Sequence, residues 1–130
     1  MARLLQTSLL FSLLSLATAS HAQQIGGNEL LETCTSDNQV LAGFCIGYII
    51  GYSEGAPWGA ALAAASVSGD MGSDINNLVG AITGSCVPAD AANDQLRDVV
   101  TKYLQENPAS RHESARTLIW MAYAEAFPCE

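Results

Sequence analysis

The sequence predicts an all-α fold, a small disulfide-stapled bundle of four main helices. Three observations predict it. Apolar residues recur at three-and-four spacing within residues 40–55, 90–106 and 110–127. No run alternates with period two, so no sheet is supported. All four cysteines, Cys34, Cys45, Cys86 and Cys129, lie beyond residue 22, in a stretch long enough for one small core.

The chain opens with Arg3, an apolar run over residues 4–17, and Ser20-His21-Ala22. A lone positive charge, an apolar stretch and small residues before a cleavage point read as a secretory signal peptide over residues 1–22, cut after Ala22. A core helix is the poorer reading, because the run lacks capping signals and is followed by Gln23-Gln24 and Gly26-Gly27. Residues 23–130 then form a single domain. The formal net charge of the chain is −8, and loss of Arg3 makes the remainder more acidic still. Such a balance excludes nucleic acid as a natural partner. It serves solubility, and it also suits docking onto a basic protein.

An even number of cysteines in a small exported chain reads as two disulfides. Metal ligation is disfavoured, since there is no CxxC pair and His112 is the sole histidine beyond the leader. Three pairings are possible. Cys34 with Cys45 and Cys86 with Cys129 is favoured, because each joins ends that an antiparallel helix pair brings together; loop entropy puts their contributions at roughly 3 and 4 kcal/mol.

Asn28 caps a short first helix over residues 29–34, with Leu30 and Leu31 turned inward. Thr35 to Asn38 supply a turn and a cap for the central helix, 40–55. There Leu41, Phe44, Cys45, Tyr48, Ile49 and Tyr52 form an apolar face, while Gly43, Gly47, Gly51 and Gly55 recur at every fourth residue. Each interior glycine costs roughly 1 kcal/mol against alanine, so the ridge calls for another backbone lying close against it. The run is too short for a membrane span, which needs ~20 apolar residues. Gly55, Pro57 and Gly59 are expected to end the helix within residues 53–59.

Residues 57–85 read as a poorly defined loop or insertion, with helix-compatible patches at 60–65 and 75–82. Asp70 and Asp74 lack the remaining ligands of a calcium loop, and a mobile surface segment of this length is a candidate contact surface. Pro88 and Asp90 are then expected to open a helix reaching Glu106, with Leu96, Val99, Val100, Tyr103 and Leu104 on one face. Asp90, Asp94 and Asp98 stack at four-residue spacing on its solvated side, with Asp98 expected to pair with Lys102. Ser110-Arg111-His112-Glu113 matches a capping box for the last helix. Its core stripe is Ala115, Leu118, Ile119, Ala122 and Ala126. A second stripe, Arg116, Trp120, Tyr123 and Phe127, means that the helix is central or that it meets another subunit.

Little in this chain reads as catalysis. A papain-like nucleophile needs a free thiolate beside a histidine, and all four cysteines have better use as bridges. There is no nucleophile elbow, no GxGxxG and no phosphate loop. No enzyme activity, cofactor or metal is expected.

Taken in order, LLETC at 30–34, FCIGYIIG at 44–51, CVP at 86–88, QLRDVVTKYLQENP at 95–108, Arg111-His112 and AFPC at 126–129 resemble the Tai/Rap immunity family of small exported Gram-negative proteins. The resemblance excludes residues 57–85, which are longer and richer in Gly, Ala and Ser than that family leads one to expect. It implies a helical, often dimeric periplasmic protein that binds and sterically blocks a papain-like peptidoglycan amidase delivered by type VI secretion, with no membrane attachment after signal cleavage. Partner contact is then expected from residues 57–85, including Asp70 and Asp74, and from the turn carrying Ser110, Arg111 and His112. A homodimer is expected through Arg116, Trp120, Tyr123 and Phe127. The alternative is a small periplasmic helical chaperone or binding module of the acid-stress type.

Overall fold

The computed structural model describes residues 24–69 and 75–129. They form five α-helices and one 3₁₀ turn: α1 Gly27–Cys34, α2 Gln39–Ser68, α3 Ile75–Thr83, α4 Asn93–Glu106, the turn Pro108–Ser110, and α5 Ala115–Ala126. The leader assigned to residues 1–22 lies outside the described residues, as do Asp70 and Asp74.

The core is a mutual contact of α1, the first half of α2, α4 and α5. Leu30, Cys45, Ile49, Val100, Leu104, Leu118 and Ile119 are its fully buried large side chains. The expected face of α4 holds in Leu96, Val100 and Leu104, and that of α5 in Ala115, Leu118, Ile119 and Ala122. Ala126 is exposed instead, and Tyr123 takes the core position. The helix begins four residues later than the expected capping box, so its inner face is set by Ala115 and not by Ser110. On the central helix Cys45 and Ile49 are buried, whereas Leu41 and Phe44 stand partly in solvent.

Both disulfides have the favoured pairing, Cys34 with Cys45 and Cys86 with Cys129, with Cα separations of 5.1 and 5.0 Å. The first ties α1 to α2 across the Thr35–Asn38 turn. The second ties the segment entering α4 to the end of α5, beside a backbone bond from Cys86 N–H to the Phe127 carbonyl.

The helix ends explain where the sequence expectations shift. Asn38 Oδ1 accepts from Val40 N–H at 2.9 Å and starts α2 as expected. α1 starts earlier than Glu29, because Gly27 and Asn28 give their free N–H groups to the Glu113 and Arg111 carbonyls. That docking requires glycine: a Cβ at Gly27 would stand 2.2 Å from Leu118 Cδ1. α4 begins at Asn93 without a side-chain cap, because Pro88 instead accepts from Ala91 N–H in a tight turn. The cap of α5 is Ser114, whose hydroxyl faces Thr117, while Ser110 sits in the 3₁₀ turn.

The largest departure is α2 itself. It does not stop at residues 53–59 but runs through Pro57 for 30 residues, about 45 Å, and ends at Gly69 with φ 74°. Pro57 removes one helical donor, a cost of ~3 kcal/mol. The alanine-rich turns that follow have the highest helix propensity of any residue type, and Ala60, Ala61 and Ala64 are buried. Propensity and burial together offset the proline. Residues 57–85, expected as loop, thus carry the last turns of α2 and all of α3, which packs chiefly against α2. The glycine ridge also departs from expectation: a Cβ built on Gly43, Gly47, Gly51 or Gly55 meets nothing within 4 Å, so no backbone among the described residues fills it.

Candidate functional site

Two regions carry the sequence-selected contact residues, and α4 holds them apart. The turn at 107–113 hangs on the C-terminal end of α4. α3 hangs on the segment that leads into its N-terminal end. Fourteen helical residues, about 21 Å, lie between.

At the turn, the side chains serve the fold first. Arg111 donates through Nε to the Leu104 carbonyl and through its terminal nitrogen to the Gln105 carbonyl at 2.9 Å, so the guanidinium closes the last turn of α4. Ser110 Oγ donates to the Asn107 carbonyl at 3.1 Å. His112 Nδ1 lies 3.0 Å from the Ala109 carbonyl, and the rest of its ring is exposed. Of the three, His112 is the one with a free face. The acidic side of α4 is likewise self-contained: Arg97, not Lys102, pairs with Asp98 at 2.8 Å and with Asp94 at 3.2 Å, and Lys102 reaches Glu106.

The second stripe of α5 is largely used within the chain. Tyr123 is 3% exposed, and its hydroxyl is 2.8 Å from Ser53 Oγ on α2. The Phe127 ring lies 6.0 Å from its ring at a tilt of 58°. Trp120 donates Nε1 to the Thr83 carbonyl and lies over Gly84, whose φ of 69° closes α3. Arg116 stays exposed. Tyr123 and Phe127 of the expected dimer stripe thus pack within the chain, as the first of the two alternatives has it, while Arg116 and Trp120 (43% exposed) keep open surface.

Between α2, α3 and Tyr123 opens a cleft of about 440 Å³. Tyr52, Ser53 and Pro57 form one wall and Asn76, Val79, Gly80 and Thr83 the other. Gly80 is needed here, because a Cβ would lie 2.9 Å from Cys86 Sγ and 3.2 Å from Cys129 Sγ. Every side chain in the lining is uncharged. Burial raises the pKa of both Tyr52 and Tyr123; for Tyr123 the Ser53 hydrogen bond acts in the opposite sense and is the smaller effect. The hydroxyls are thus neutral donors and acceptors. The cleft offers apolar walls and neutral hydrogen-bonding groups but no nucleophile paired with a base.

Sequence reasoning missed this cleft because Ser53 reads as the end of an apolar run. Its signal was present: a serine four residues after Ile49 bonds back to that carbonyl at 2.8 Å within a continuing helix. Leu78 and Ile82 on α3 are large and exposed, and so are Trp58 and Leu62 on the side of α2 turned away from the cleft-lining Ser53 and Pro57. Among the described residues no helix is long and apolar enough to cross a membrane.

The family model of the Rap1a immunity proteins matches residues 26–129. No curated protein and no solved structure matches the chain.

Proposed function

The chain belongs to the Rap1a immunity protein family, and from that premise we propose that it is a periplasmic immunity protein that sterically inhibits a type VI secretion peptidoglycan amidase. The match over residues 26–129 carries this reading. The two disulfides fit a protein that works in an oxidising compartment after export. A papain-like amidase presents a cleft with a cysteine and a histidine, and an inhibitor that fills it needs shape and no chemistry of its own. The neutral cleft between α2 and α3, with Leu78 and Ile82 exposed on α3, has that character. We place the contact there, with residues 70–74 and their two aspartates joining it, and assign His112 and the 107–113 turn to its distal edge. The protein acts as a homodimer.

The test is protection. The amidase encoded by the same bacterium, directed to the periplasm, is expected to lyse cells, and co-export of this protein is expected to restore growth and yield a stoichiometric complex. Continued lysis with no complex would overturn the reading. Capture of many unrelated proteins, rising at acid pH, would replace it with the chaperone alternative.

A further inference from the structure

α2 presents an outward face that no described part of the chain covers. Val40, Phe44, Trp58 and Leu62 are 80%, 41%, 59% and 50% exposed, and five glycines at every fourth position, Gly43 to Gly59, each have open space where a Cβ would point. At 3.6 residues per turn, Val40, Phe44, Gly47, Gly51, Gly55, Trp58 and Leu62 fall within about 40° of the line through Gly51. The order is palindromic about that residue. Gly47 and Gly55 flank it at equal distance, then Phe44 and Trp58, then Val40 and Leu62. Off the midline, Gly43 mirrors Gly59.

We propose that this face is the interface between two copies of the chain, an antiparallel pair of α2 helices with the two-fold axis at Gly51. A two-fold interface uses one patch on both subunits, so each residue must meet the residue at its mirror position. Within about 40° of that line every glycine mirrors a glycine and every large apolar side chain mirrors another, while farther round Leu41 faces Ala61 and Tyr48 faces Glu54. Glycines four apart form the ridge along which helices cross at about −50°, so the backbones touch at Gly51 and diverge on either side. Phe44 and Trp58 of opposite copies fill the widening gap as an aromatic pair, with Val40 and Leu62 at its edge.

Charge and area agree. Two acidic chains repel, yet Glu54 is the sole charged residue in the 30 residues of α2. The four side chains and the glycine backbone make an apolar patch on the order of 500 Å², large for a monomer; counted on both copies it reaches the ~1,000 Å² of a specific interface. The ridge then has the close backbone partner that the described residues do not provide. The inference rests on the dimeric part of the reading above and is independent of the effector.

The experiment uses the protein purified from the periplasm after export. Light scattering is expected to give twice the chain mass. Gly51→Cys is expected to form a covalent dimer under mild oxidation, because a residue on the axis meets its own copy, while Asp94→Cys on α4 is not. Gly51→Leu is expected to halve the mass and keep the helical circular dichroism, since a Cβ there meets nothing within 4 Å among the described residues. A monomeric wild type, a dimer that crosslinks no better at residue 51 than at residue 94, or a Gly51→Leu protein of unchanged mass would each overturn the interface. A monomer that gains mass only when the amidase is added would also overturn it. Protection from the amidase is read separately, so either conclusion can fail while the other stands.

Discussion

The two halves of α2 make different use of the same helix. Before Ser53 it lays Cys45 and Ile49 into a core shared with α1, α4 and α5, where every buried position is filled by a large side chain or a tight alanine. Beyond Pro57 its buried residues, among those described, are Ala60, Ala61 and Ala64, against a helix whose sole buried residue is Gly80. Small residues let backbones approach but bury little area, so the α2–α3 corner is held by the Cys86–Cys129 bridge, the Trp120 bond to Thr83 and helix propensity. It leaves Trp58, Leu62, Leu78 and Ile82 outside. A protein that must fit another surface keeps its binding element at the low-stability end of its structure.

That contrast can be broken most forcefully at the second disulfide. Replacing Cys86 and Cys129 by serine is expected to cost ~4 kcal/mol on loop entropy, and hydrogen exchange should show α3 released well before α4. Equal loss of protection in both helices would mean that the corner and the core are one cooperative unit. Next in size, Leu118→Ala, in the core, is expected to cost about 3 kcal/mol by denaturant unfolding, whereas Ile82→Ala on α3 should stay within about 0.5 kcal/mol.

Glycine substitutions sharpen the comparison by sign. Gly27→Ala should destabilise by roughly 1–3 kcal/mol, because its Cβ would collide with Leu118 and the Arg111 carbonyl. Gly51→Ala should raise the stability of the dissociated chain by up to ~1 kcal/mol, since it adds helix propensity in open space. The smallest effect is alkaline. Burial raises the pKa of Tyr52 and Tyr123 above the ordinary value of 10.0, so the unfolded chain loses those protons first. Their contribution is intact below about pH 10 and is lost as pH rises through the higher folded values. Urea midpoints should fall above pH 10, and less so for Tyr123→Phe.

How legible the molecule was follows the same division. The core half was readable because large side chains at helical spacing specify a face: Leu30, Leu96, Val100, Leu104, Leu118 and Ile119 are all buried as their spacing predicts. The cysteines were readable because, of three possible pairings, the favoured one joins ends that antiparallel helix pairs bring together. The corner was opaque because its signals cancel. Pro57, Gly55 and Gly59 say stop, and an alanine run says continue; the outcome depends on α3 being there to bury those alanines, which no local window contains. Asp90 and Ser110 misled in a simpler way, since capping residues near a helix start are common and the cap is chosen by where the chain enters the core. Tyr123 was placed on an outer stripe because only the fold reveals that Ser53 stands opposite its hydroxyl. The glycine ridge was recognised, but the close neighbour it called for is not among the described residues.

The most direct test of the account is hydrogen exchange of this protein alone and in complex with the amidase of its own bacterium. The account predicts a complex in which protection rises across residues 57–85 and at the 107–113 turn, with the already slow amides of α4 and α5 unchanged. A complex protected only elsewhere, or no complex at all, would contradict it.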